Sequence, residues 1–286
     1  KEATGKGISR SPRAKRAPHL SGLTKIYLRV AHKASSVGDM NTPIIDSELE
    51  KYPKVELHRH LELSMRHSTM REIAKTVGLE VPASFDGFKQ MFLITEPMGD
   101  LGAVLKKFLD TQKLLHSEEV LTRLTYEAIE DAVHEGIRIL ELRFAPTFIQ
   151  QGHDHLSFEK AHAAVVKGVQ MAKHLPISVG LILTCQRILS VDFAERVAHL
   201  GADHKDTICG LDLADNELDN SCLPFAKAFE IARKAGLKIT VHAGEAPGEQ
   251  SEKSMLDAIH HLGAQRIGHG VQVAKYPETM KLIKQK

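Results

Sequence analysis

Apolar and polar positions along this chain alternate between two periods, one strand-like and one helix-like. Residues 54–61 read as a strand, and a long, mostly helical stretch follows. Within that stretch Leu101, Val104, Leu105, Phe108 and Leu109 fall at i, i+3, i+4, i+7 and i+8, an apolar helix stripe. A second helix starts near Glu118 and stops at Gly136, a residue type suited to a helix C-terminus. Residues 139–143 are strand-like and end before Pro146. A helix over about 158–174 leads into the apolar run 177–183, and another helix closes near Gly201. A strand over 207–213 comes next, then a helix ending near Gly236 and a strand over 238–241. Ser251 is placed to cap a helix that stops at Gly263, and 265–268 forms the last short strand.

Six strands separated by helices, with no hairpin signal between them, predict an α/β fold built on a parallel sheet covered by helices. Doubly wound and barrel architectures both satisfy this alternation, so periodicity leaves the two open.

Chemistry-bearing residues cluster at the ends of these strands. In His58-Arg59-His60, alternate residues of a strand share a face, so two imidazoles converge on one point as a metal requires of two ligands. Taken alone, that pattern is weak evidence in a chain with 17 histidines. In Val241-His242-Ala243-Gly244-Glu245 an apolar strand ends on a histidine, with a carboxylate three residues later. In Gly268-His269-Gly270 a histidine stands between two flexible residues. Either could be a plain strand-ending turn. All three, however, sit at the C-terminal ends of predicted parallel strands, where parallel α/β folds place their active sites.

Composition narrows the classes. A chain of 286 residues, 42% hydrophobic, can bury one sizeable core. A net charge of +2 argues against a nucleic-acid surface. No apolar run approaches the roughly 20 residues that cross a bilayer. Cys185, Cys209 and Cys222 form neither a disulfide framework nor a CxxC metal pair, which points to a reducing, cytoplasmic setting. Residues 1–39 differ from the rest. Lys1, Lys6, Arg10, Arg13, Lys15, Arg16, Lys25, Arg29 and Lys33 face only Glu2 and Asp39. This basic leader is expected to be disordered or a non-native extension, with organelle targeting as the alternative and ordered sequence beginning near Thr42.

The run Pro53-Lys54-Val55-Glu56-Leu57-His58-Arg59-His60-Leu61-Glu62 resembles the opening motif of the adenosine deaminase family. Gly210-Leu211-Asp212-Leu213-Ala214, Val241-His242-Ala243-Gly244-Glu245 and Arg266-Ile267-Gly268-His269-Gly270 match that family in the same order. The likeness spans about 50–286 and implies a TIM-type (β/α)8 barrel. It also implies zinc held by His58, His60 and His242, with Glu245 donating a proton to purine N1. His269 would orient and help deprotonate the attacking water, and His60, Glu62 and Asp215 would border a small purine substrate. The implied activity is hydrolytic deamination of adenosine, with adenine as the alternative. The cytidine-deaminase signatures HxE and PCxxC are absent.

Three departures from the family pattern stand out. Glu62-Leu63 replaces an Asp-Gly pair whose aspartate contacts ribose, and Asp215 replaces a glycine that offers its backbone N–H to the purine. The family's Asp-Asp pair after strand eight, which completes the metal site and contacts the purine, has no counterpart before Lys286. The resemblance therefore implies a barrel, residues 40–286, lacking its C-terminal part. Another metal-dependent hydrolase with a bridging lysine, and an inactive or purely binding relative, are the competing readings.

Overall fold

The computed structural model describes residues 52–98 and 101–285. The leader and the expected start near Thr42 lie outside these residues. Strand β1 (Lys54–His60) precedes helices α1 (His67–Thr76), α2 (Phe85–Phe92), α3 (Leu101–Gln112) and α4 (Glu118–His134). The chain continues through β2 (Ile137–Phe144), α5 (Pro146–Gln150), α6 (Phe158–Met171), β3 (Ser178–Gln186) and α7 (Val191–Asp203). It then forms β4 (Ile208–Ala214), α8 (Ala226–Ala235), β5 (Lys238–Ala243), α9 (Gln250–Asp257), β6 (Arg266–His269) and α10 (Pro277–Gln285).

Each strand pairs in parallel with the next, in the order β1-β2-β3-β4-β5-β6. A doubly wound sheet reverses its strand order at a switch point, and this one never does. The sheet also curls on itself. The rings of His58 on β1 and His269 at the end of β6 lie 4.7 Å apart, and Arg266 on β6 pairs with Glu141 on β2. Sequential order and curvature together make this the winding of a TIM-type barrel.

Alternation within the strands explains what packs where. In β2, Leu140, Leu142 and Phe144 are fully buried under the helices, whereas Glu141 and Arg143 project inward to partners on other strands. In β4, Leu211 and Leu213 are likewise buried around the inward Asp212. Helix α4 covers β2 with Leu121, Leu124, Ala128 and Ile129, and deleting one such leucine side chain would cost about 2–5 kcal/mol. Ser117 and Ser157 cap α4 and α6 by accepting from the N–H of Val120 and Lys160, each contributing about 1 kcal/mol.

Two expectations shift. Ser251 is not a cap, because α9 begins one residue earlier and the Ser251 hydroxyl donates to the Ala246 carbonyl instead. Strand β3 runs on to Gln186, past the end of its apolar run, because Thr184 and Gln186 face a cavity rather than the core. That cavity also takes one side of the α3 stripe, leaving Leu109 54% exposed.

Candidate active site

The curl of the sheet gathers the three sequence clusters at one mouth. His58 Nε2 lies 3.0 Å from His242 Nε2, and His60 Nε2 lies 3.2 Å from the same atom. Two ligands on a tetrahedral ion with metal–nitrogen bonds of 2.0–2.1 Å stand about 3.3 Å apart, so the spacing fits a shared metal. His58, His242 and His269 also present nitrogens all within 4.8 Å of one another. His60 and His269 are thus rival third ligands. His60 Nε2 stands 3.2 Å from His242 Nε2, whereas His269 Nε2 stands 3.7 Å from Glu245 Oε1, beside the carboxylate.

Burial favours the neutral form of the His58, His60 and His269 imidazoles, as metal coordination needs. Burial, then repulsion from His242 and Arg143, lowers His58 to about 3. Burial and His242 hold His60 well below the usual histidine range, and burial with His242 lowers His269 to about 4.

Behind His242 stands a pair that the sequence reading missed. His242 Nδ1 donates to Asp212, at 3.1 Å from Oδ1 and 3.0 Å from Oδ2. That bond leaves the Nε2 lone pair facing His58 and His60. Arg143 Nη1 donates to Asp212 Oδ2 at 2.6 Å, and its Nη2 donates to the Leu57 carbonyl at 2.7 Å. Burial alone would push the Asp212 carboxyl up, yet His242 and Arg143 hold it well below the usual range. A charged residue inside each of two apolar strands was the available signal.

Local backbone explains the flanking residues. A side chain on Gly268 would lie 3.0 Å from His58 Cε1 and 3.3 Å from the His242 Cα, so glycine lets β6 pass the histidines without pressing on them. His269 (φ +63°) and Asp215 (φ +82°) both occupy the left-handed region that non-glycine residues seldom adopt. A glycine would be relaxed at 215, whereas Asp215 is held by local bonds. Its Oδ1 accepts from Asn216 N and its Oδ2 from Gln186 Nε2.

His58, His60, Glu62, Asp215, His242, Glu245 and His269 all border one cavity of about 560 Å³, the size of a small-molecule site. Leu63, Leu105, Phe148 and Leu189 form its apolar wall. Burial pushes Glu62 up to about 7, partly offset by the bond it accepts from Ala145 N at 2.5 Å. Burial likewise raises Glu245, which favours its protonated, donating form. The buried Thr184 hydroxyl on this wall has no hydrogen-bond partner among the described residues, so a ligand could supply one.

The adenosine deaminase family model matches residues 53–286. The chain belongs to that family. The adenosine deaminase of Clostridium perfringens is 36% identical over 238 residues, covering 82% of this chain and 70% of its own length. That of Vibrio vulnificus (strain YJ016) is 34% identical over 235 residues, covering 81% and 70%. Among solved structures, a Burkholderia ambifaria amidohydrolase with bound zinc superposes with a TM-score of 0.75 at 26% identity, covering 87% of this chain and 67% of that one. The Arabidopsis N6-mAMP deaminase gives a TM-score of 0.65 at 29% identity, covering 78% and 67%. Family membership makes purine deamination the chemistry against which this cavity is read.

Proposed function

We propose that this chain is a zinc-dependent hydrolase that deaminates a purine, adenosine before adenine. The convergence of His58, His60 and His242 beside Glu245 and His269, in one cavity of about 560 Å³, carries the reading. His58, His60 and His242 would hold the zinc. When bound, zinc would bring the pKa of water towards about 7 and so provide a nucleophile at neutral pH.

The remaining steps belong to side chains. His269 accepts a proton from water as the water oxygen bonds to the amine-bearing ring carbon, and Glu245 gives its proton to the adjacent ring nitrogen. The new hydroxyl then returns a proton to Glu245, His269 protonates the amine, the C–N bond breaks and ammonia leaves. Both side chains end in their starting states. His60, Glu62 and Asp215 border the substrate, Asp215 through its backbone N–H. A reducing, cytoplasmic setting is supported by three free cysteines.

Adenine is the second reading, and the commitment of Glu62 to the Ala145 N–H favours it, because a carboxylate so engaged is less free for ribose. Ammonia release from adenosine and from adenine, measured on zinc-loaded chain, tests both. Turnover of adenosine at least about tenfold more efficient supports the first reading, and the reverse ratio supports the second. Bound zinc with no ammonia from either substrate would leave a binding scaffold and overturn the proposal.

A further inference from the structure

We infer that Glu217 is a positioning residue, one that holds the 244–246 turn so that Glu245 is aimed into the cavity. The inference rests on the reading of Glu245 as the proton donor.

The carboxylate of Glu217 sits inside a ring of backbone N–H groups. Its Oε1 accepts from Glu245 N at 2.7 Å and Ala246 N at 2.6 Å, and its Oε2 accepts from Gly244 N at 3.0 Å. Ser254 Oγ on α9 adds a fourth donor at 2.7 Å to Oε2. Glu217 is 9% exposed, so these bonds form largely out of water. Four donors on two oxygens match an ionised carboxylate, which has about four lone-pair sites and no hydrogen of its own. A glutamine would turn an NH2 group towards some of those N–H groups and lose half of the arrangement.

The turn needs such a clamp. Glu245 lies beyond the end of β5, so no ladder bond fixes it. Gly244 takes φ +67°, and a side chain there would lie 2.6 Å from Met255 Sδ on α9, so the turn is pressed against that helix. Ser251 on α9 holds the Ala246 carbonyl. Arg187 donates to the His242 and Asn220 carbonyls, tying the Glu217 loop to the end of β5 from the other side. Among the described residues, Glu217 is the one side chain that reaches all three amides of the turn, and the aim of Glu245 follows the turn. No local motif announces this, since Glu217 and Glu245 are 28 positions apart and the partners are main-chain atoms.

The experiment compares wild type, Glu217→Gln, Glu217→Asp, Glu245→Gln and the double variant Glu217→Gln/Glu245→Gln as zinc-loaded full chains. For Glu217→Gln, kcat is expected to fall about 10- to 100-fold with KM within about threefold and zinc content unchanged. In the Glu245→Gln background, the same substitution should cost less than about twofold, because its effect passes through Glu245. Glu217→Asp keeps the charge and should recover part of the loss. Amide exchange at 244–246 should quicken at least about tenfold in Glu217→Gln, an arm that needs no activity.

Wild-type kcat in Glu217→Gln, or an equal loss in both backgrounds, would overturn the inference. So would unchanged exchange at the three amides. If Glu217→Gln does not fold, the same comparisons are made with Glu217→Asp. If wild type releases no ammonia from any purine, the proposed function falls, while the exchange arm still decides whether the clamp exists.

Discussion

The histidine group and the proton-handling pair share a cavity but are built in different ways. His58, His60 and His242 are strand residues, and His242 is braced from behind by Asp212 and Arg143. Glu245 and His269 lie past or at the very ends of β5 and β6, where the backbone turns through left-handed conformations. Metal ligands need fixed angles, which strands supply together with the side chains that brace the ligands from behind. Proton donors and acceptors need reach towards a substrate, which turns supply but only when something outside them sets their aim. The lesson is that the first group should fail through loss of the metal, and the second through loss of turnover alone.

Four substitutions sharpen that difference, in falling order of effect. His242→Ala removes the nitrogen nearest both neighbours, so metal content should collapse and activity should drop on the order of a thousandfold or more, read by metal analysis beside the ammonia assay. Glu245→Gln should lower kcat about 10²- to 10⁴-fold with metal retained, and a matching loss of metal would erase the contrast. Asp212→Asn should weaken metal binding about 10- to 100-fold in a chelator competition. It also leaves Arg143 buried without its anion, at a cost of about 3–5 kcal/mol in a urea titration. Thr184→Val should raise KM about fivefold, from a lost hydrogen bond of about 1 kcal/mol, with no loss of Tm because the hydroxyl has no partner among the described residues. A Thr184→Val chain that melts lower would place that hydroxyl in the fold rather than the site.

Much of this contrast was legible in the sequence, though unevenly. Strand and helix positions followed from periodicity, and His58, His60, His242, Glu245 and His269 followed from their places at strand ends. Periodicity alone left barrel and doubly wound sheets open, because the same β/α alternation feeds both, and it was the family resemblance that implied the barrel. Only strand order and curl separate them, and both arise from contacts between distant strands. Asp212 lay inside a quoted motif yet carried no assigned role, because its importance is a bond to a ring 30 positions away. Arg143 is fully buried, and its importance is a bond to Asp212 on a different strand, which strand periodicity does not show. Glu217 left no trace at all, since its partners are amides that any sequence would supply. Ser251 misled for the related reason that hydroxyls serve carbonyls as readily as caps.

The central claim is that His58, His60 and His242 form the metal site while His269 stays free to move protons. Anomalous diffraction from zinc-loaded crystals, collected at the zinc edge, tests it most directly. The account predicts one peak about 2.0–2.1 Å from the Nε2 atoms of His58, His60 and His242. A peak bound by His58, His242 and His269, with His60 left out, would contradict it.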